Sequence, residues 1–229
     1  MKILAIGAHP DDIEIYMFGL LLVYLNQGHD VYPLIATDGS LGTVSINKNL
    51  KIIRKKETKN ALKKFKNPIF INEKDGSLSS SNSIIGKLKK NISTISPDLI
   101  ITHSSSDYHP DHRALSKYVR ESAGFCCPII YADTLMGVNF NPNIYIDITQ
   151  YIEEKLSAIM CHRSQNPEKF VHTTKLLNNF RAGQCNTVVD GYAEAYFFES
   201  VFPFSDIRNL LPLAPMTNKY YQNVPNSFL

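Results

Sequence analysis

Strand-length apolar runs and helix-length amphipathic segments alternate along most of this chain. Residues 3–7, 31–36, 69–71, 99–102, 129–132 and 144–148 read as strands, since short apolar runs bounded by turn residues suit a sheet covered on both faces. Residues 13–27, 47–65, 81–95, 110–123, 151–161 and 169–180 read as helices. Gly28 suits the position after a helix end, Asn67-Pro68 and Ser96-Pro97 break the pattern, and Pro110 fits a first helical turn. Such alternation predicts an α/β fold: a Rossmann-like open, mostly parallel sheet with helices on both faces, three layers in all. A length of 229 residues fits one domain of this kind. The expected division is an α/β domain over residues 1–204 and a C-terminal tail over 205–229. Leu210, Leu211 and Leu213 of that tail would pack on the domain or on a neighbouring subunit.

Composition narrows the class. Hydrophobic residues make up 44% and charged residues 20%, which argues against disorder, collagen and coiled coil. With 24 Lys+Arg against 21 Asp+Glu the net charge is only +3, a weak field for a polyanion. The basic runs at 54–56, 63–64 and 87–90 fall on amphipathic helices and accompany no recognised nucleic-acid motif, so nucleic acid is not an expected partner. No stretch reaches the ~20 apolar residues of a membrane span, and the longest candidate, 13–25, carries Glu14. The N-terminal apolar run is interrupted at once by His9 and two Asp, unlike a signal peptide. Cys126, Cys127, Cys161 and Cys185 form no CxxC pair and read as reduced thiols of a cytoplasmic protein.

In open α/β sheets, ligands bind beyond the carboxyl ends of the strands. His9-Pro10-Asp11-Asp12-Ile13-Glu14 follows the first strand, and His109-Pro110-Asp111-His112 follows the fourth. Adjacent carboxylates raise each other's pKa unless a cation neutralises them. Helix capping accounts for one Asp but not for the preceding histidine. The second cluster alone reads equally well as a polar loop. Together they bring two His-Pro-Asp sequences to one sheet edge. Two His and a carboxylate form a tripodal metal site with open positions, the form of catalytic zinc. A further carboxylate that is not a ligand is then the natural general base.

These two motifs together resemble the PIG-L (LmbE-like) family of zinc-dependent N-deacetylases. Supporting similarities are Thr37-Asp38-Gly39 with Gly42, Arg54 and Glu57, then Lys155 with His162-Arg163-Ser164-Gln165, and Gly191-Tyr192-Ala193-Glu194-Ala195-Tyr196. The resemblance implies His9, Asp12 and His112 as ligands of Zn2+, with Fe2+ able to occupy the same donors. It implies Asp11 as general base, His109 as the acid that stabilises the oxyanion and protonates the leaving amine, and Asp111 as the group that orients His109 and keeps it protonated. Arg54, Asp38 and His162 would contact substrate. The implied reaction removes an N-acetyl group from a GlcNAc-type amino-sugar conjugate, a small molecule, and the resemblance also allows for a homo-oligomer. The chain departs from the family at Ile15-Tyr16-Met17-Phe18, where small Gly-rich residues are usual, so substrate size stays open. The loop at 40–47 is also short of the acids and glycines often found there.

Other readings stay open at this point. A metal-dependent amidase acting on a non-sugar N-acyl substrate would use the same ligands. So would a non-haem iron oxygenase, although such sites usually sit on all-β scaffolds. A nucleotide-binding module fits the sheet, but the first turn lacks G-x-G-x-x-G and its acids would repel a pyrophosphate. Among single residues, Arg54 reads equally as a solvated arginine, His162 as a satisfied buried histidine, and Asp38 as part of an Asp-Gly turn. His103 reads as a loop residue, and Lys155 with Glu194 as a structural ion pair.

Overall fold

A computed structural model describes residues 1–42, 49–185 and 190–216. The second half of the loop expected after the second strand, the first two residues of the helix expected at 47–65, and tail residues 217–229 lie outside the described residues. Seven strands form one sheet in the order β3-β2-β1-β4-β5-β7-β6. β1 (Lys2–Gly7), β2 (Asp30–Thr37), β3 (Ile69–Glu73), β4 (Leu99–His103) and β5 (Ile129–Ala132) are mutually parallel. β7 (Ala193–Phe198) runs against both β5 and β6 (Ile144–Asp147), so β6 points the same way as the parallel set. The sheet is thus open and mostly parallel, as the alternation predicts.

Helices cover both faces because β1, β2, β3, β4 and β5 send apolar side chains to both. In β1, Ile3 and Ala5 enter one core while Leu4 and Ile6 enter the other. The first core also holds α1 (Asp12–Tyr16), α2 (Phe18–Asn26), the C-terminal end of α3 (Leu50–Ala61) and α6 (Ile152–Ile159). The second holds α4 (Ile84–Ile95) and α5 (Pro110–Ala123). α4 shows the reason: Ile84, Leu88, Ile92 and Ile95 repeat at helical spacing and are all buried. The last long helix, α7 (Pro167–Gln184), lies against β7 and α6.

Three features depart from the sequence reading. The helix expected over 13–27 is two helices, broken at Met17, whose φ is −132° and ψ −12°. The break has a tertiary cause: the Glu194 carboxylate of β7 accepts the N–H groups of Gly19 and Leu20, each at 2.8 Å. It therefore caps α2 where a continuous helix would need those amides internally. A Cβ on Gly19 would come within 2.6 Å of Ile148 Cγ2 and 2.9 Å of Glu194 Oε1, so only glycine lets that carboxylate approach. Second, β7 is a strand that the alternation does not announce. Third, α7 is longer than the expected 169–180. Of the tail, Ile207 is buried and Leu210 and Leu211 pack on the first core, while Leu213 is exposed.

The chain passes from β1 outward to β2 and β3, then returns to the other side of β1 as β4. The strand order reverses there, and a crevice opens beyond the carboxyl ends of β1 and β4.

Candidate metal centre and active site

As the chain leaves β1, Ala8 N–H donates to His103 Nε2 at the end of β4 (3.1 Å), joining the two strand ends. His9 N–H donates to Asp12 Oδ2 at 2.6 Å, which ties the turn into α1. Asp11 occupies the position before that helix with φ 132°, a conformation costing a non-glycine residue on the order of 1–3 kcal/mol. Its side chain makes no capping bond. Instead Arg54 of α3 donates from Nη2 to Asp11 Oδ2 (3.1 Å) and to Pro10 O (2.7 Å), and from Nη1 to Gly39 O (3.0 Å). A Cβ on Gly42 would collide with this guanidinium, which explains the glycine. Burial pushes the Asp11 carboxyl above the usual range, and Arg54 opposes that push.

Beyond β4 the turn delivers Asp107 and then His109, the residue that precedes α5. His109 Nδ1 accepts the Asp111 backbone N–H at 3.2 Å, so the neutral ring carries its proton on Nε2. Burial, with His9 and His112 nearby, holds the His109 pKa below the ordinary histidine value. The Asp111 carboxylate is engaged elsewhere: it accepts Gly76 N–H (2.8 Å) and Leu78 N–H (3.1 Å) and lies 3.4 Å from His9 Nε2. Its backbone, not its carboxylate, is what meets His109.

Three donors converge where the two motifs meet. His9 Nδ1 is 3.2 Å from His112 Nε2 and 3.4 Å from Asp12 Oδ2, and His112 Nε2 is 3.3 Å from Asp12 Oδ1. Donors about 3.4 Å apart are what a tetrahedral ion with bonds of about 2.1 Å requires. His9 and His112 each belong to two of three overlapping groups of potential ligands here and Asp12 to one, and these groups bring in His103, His109, Asp75 and Asp111. Each histidine has a carboxylate on its far side. Asp107 Oδ2 lies 3.1 Å from His112 Nδ1, and Asp75 Oδ1 lies 3.2 Å from His9 Nε2. Carboxylates in these positions keep a proton on the distal nitrogen and turn the near one toward a cation.

The electrostatics show a cluster balanced by protons. Burial would lower the His112 pKa, but Asp12 and Asp107 outweigh it and lift it to about 9. Burial acts likewise on His9, and Asp12 again outweighs it. Asp12 falls well below the carboxylate range because His112, His103 and His9 outweigh its desolvation. His103, stacked on His112 at 3.8 Å, is pushed down to about 4 by burial first and then by His112.

A cavity of about 400 Å³ opens onto this cluster. Asp11, Arg54, His109 and Gln165 form polar parts of its wall, and Ile15, Tyr16, Leu41 and Phe170 apolar parts. Two of the expected substrate contacts lie elsewhere. Asp38 accepts the N–H of Ser40 (3.1 Å) and of Asp75 (3.3 Å) in the turn that follows β2, and it lines a separate pocket with Pro10 and Lys51. His162 is buried, with Nε2 2.9 Å from Glu14 Oε1. The sequence reading missed Asp75 and Asp107. Both follow strands that end at the crevice, and that position is the signal that would have found them.

The GlcNAc-PI de-N-acetylase (PIG-L) family model matches residues 4–123. A probable N-acetyl-alpha-D-glucosaminyl L-malate deacetylase 2 of Bacillus anthracis is 25% identical over 89% of this chain and 96% of its own length. The structure of N,N'-diacetylchitobiose deacetylase from Pyrococcus horikoshii, solved with an inhibitor, superposes with TM-score 0.76 at 26% identity, covering 92% of this chain and 88% of that one. The 4-carboxy-2-hydroxymuconate hydratase GalB of Pseudomonas putida also superposes with TM-score 0.76, at 19% identity over 88% of this chain and 96% of its own, which is a likeness of fold alone.

Proposed function

The chain belongs to the PIG-L family of N-deacetylases, and on that premise we propose that it hydrolyses the N-acetyl group of a GlcNAc-type amino-sugar conjugate. The observation that carries this reading is the convergence of His9, Asp12 and His112 within 3.4 Å of one another, beside a buried carboxylate that is not among them. Relatives named for GlcNAc-malate and diacetylchitobiose support the sugar class.

His9 Nδ1, Asp12 and His112 Nε2 would hold a divalent ion, Zn2+ or Fe2+. When bound, it polarises an amide carbonyl and makes water a nucleophile near neutral pH. Asp11 takes the proton of the attacking water at its carboxylate. A base near the working pH is the efficient one, and burial raises Asp11 in that direction. Arg54 holds the Asp11 carboxylate in place. His109 donates from Nε2–H to the developing oxyanion, a role that a neutral ring performs. The proton that Asp11 removed then passes to the leaving nitrogen, which departs poorly as an anion. Asp107 and Asp75 act through His112 and His9, and Asp111 ties the 76–78 segment to the second motif.

We assign residues 1–204 to the catalytic domain and 205–229 to a tail, of which Ile207, Leu210 and Leu211 rest on the first core. A cytoplasmic location is supported by the absence of disulfides among the described residues. No helix among them is long and apolar enough to cross a membrane.

The test is release of free amine from N-acetylated glucosamine conjugates, run with and without a chelator. Chelator-sensitive release that is lost in Asp11→Asn is the expected result. Metal-loaded protein that frees no amine from any such conjugate overturns the reading.

A further inference from the structure

Building on the reading that this cavity takes an N-acyl amine, we propose that Tyr16 sets the length of the acyl group. Its ring closes the inner end of the cavity beside the metal ligands, so that an acetyl group fits and longer acyl chains do not.

Tyr16 ends α1, one turn beyond Asp12, so the helix carries its side chain back over the cluster. The ring stands edge-to-face with His112 at 5.9 Å and with His103 at 5.6 Å. It is only 6% exposed, yet it lines the cavity. It is backed by Tyr196, whose Oη lies 3.4 Å from its backbone carbonyl, and its hydroxyl faces that of Tyr108. Tyr108 is 60% exposed and marks the outer side.

The amide carbon attacked at this site carries two substituents. The nitrogen bears the bulky conjugate and must point outward, past Tyr108. The acyl substituent then points inward, toward Tyr16. A methyl group stops short of the ring. Each added methylene must displace a side chain fixed between two imidazoles and the core, and protein interiors yield little to such overpacking.

The test uses metal-loaded, full-length protein and the carboxylates that hydrolysis would release: acetate, propanoate and butanoate. Metal content is checked first, and binding is followed by calorimetry. Wild type is expected to bind butanoate at least about tenfold more weakly than acetate, the lower end of discrimination per methylene in a shaped pocket. Tyr16→Ala and Tyr16→Leu are expected to erase or invert that order, and Tyr16→Phe to keep it. If Tyr16→Ala does not fold, Tyr16→Leu decides. The proposal is overturned if the folded, metal-loaded variants keep the acetate preference, if wild type shows none, or if no carboxylate binds. Turnover of N-acetyl- and N-butanoylglucosamine in the same proteins separates the two readings. A Tyr16-dependent size order without sugar turnover overturns the sugar assignment and leaves Tyr16 standing. Sugar turnover with an unchanged size order does the reverse.

Discussion

Two of the buried charged clusters in this fold differ in how completely their atoms are partnered. Around Glu194, every site is filled: its oxygens receive Gly19 N–H, Leu20 N–H, Lys155 Nζ at 2.6 Å and Tyr196 Oη at 2.6 Å. At the end of β1 and β4, His9 Nδ1, His112 Nε2 and the Asp12 carboxylate instead crowd within 3.4 Å of one another, while the far nitrogens of the two rings face Asp75 and Asp107 and His103 Nδ1 is buried with no hydrogen bond. Two imidazole nitrogens there also face each other at 3.2 Å. A saturated carboxylate with four donors is a device for holding helices and strands together. Two imidazole nitrogens and a carboxylate turned toward one point are a device for holding a cation. Burial and charge alone do not separate the two; partner accounting does.

Four substitutions probe that contrast, in descending order of effect. Asp11→Asn should lower turnover by about 10²–10⁴-fold, the usual worth of a general base, while metal content stays at the wild-type level. Steady-state kinetics beside metal analysis will check it, and wild-type turnover would remove Asp11 from the mechanism. Glu194→Gln should do the opposite. Breaking a buried ion pair typically removes about 3–5 kcal/mol of stability, read from denaturant unfolding, and metal affinity should hold in the folded fraction. A variant as stable as wild type would show the network to be dispensable. Asp107→Asn should weaken metal binding by about 10–100-fold through the lost carboxylate beside His112 Nδ1, with little loss of stability because an amide oxygen can still accept the His109 N–H. Competition with a chromogenic chelator reads this, and unchanged affinity would detach Asp107 from the site. Gly19→Ala should cost about 1–3 kcal/mol by overpacking against Ile148 and should leave the metal site alone. Should it impair metal binding as well, the two clusters are coupled through α1 and α2 rather than independent.

Much of this was legible in the sequence, for local reasons. The parallel strands are apolar on both faces, so each appears as a short run, and each His-Pro-Asp motif falls just after one of them. What escaped depends on distant residues. Nothing between Ile13 and Gln27 foretells the break at Met17, because its cause is a carboxylate more than 170 positions away. β7 pairs against β5 and β6, and no local pattern encodes that choice of neighbours. Asp107 sits in a serine-rich turn that reads as ordinary loop until the fold brings it to His112. Arg54 was equally readable as solvated, and only its approach to Pro10, Asp11 and Gly39 distinguishes it.

The late strand β7 has a consequence for truncated chains. It follows the other six strands in the chain, yet it fits between two of them and supplies the cap of α2. A nascent chain cut off before residue 193 therefore has β6 without its neighbour and the start of α2 without its acceptor. The last strand in sequence is thus structurally central, and a chain truncated ahead of it lacks both the middle of that sheet edge and the acceptor that ends the break at Met17.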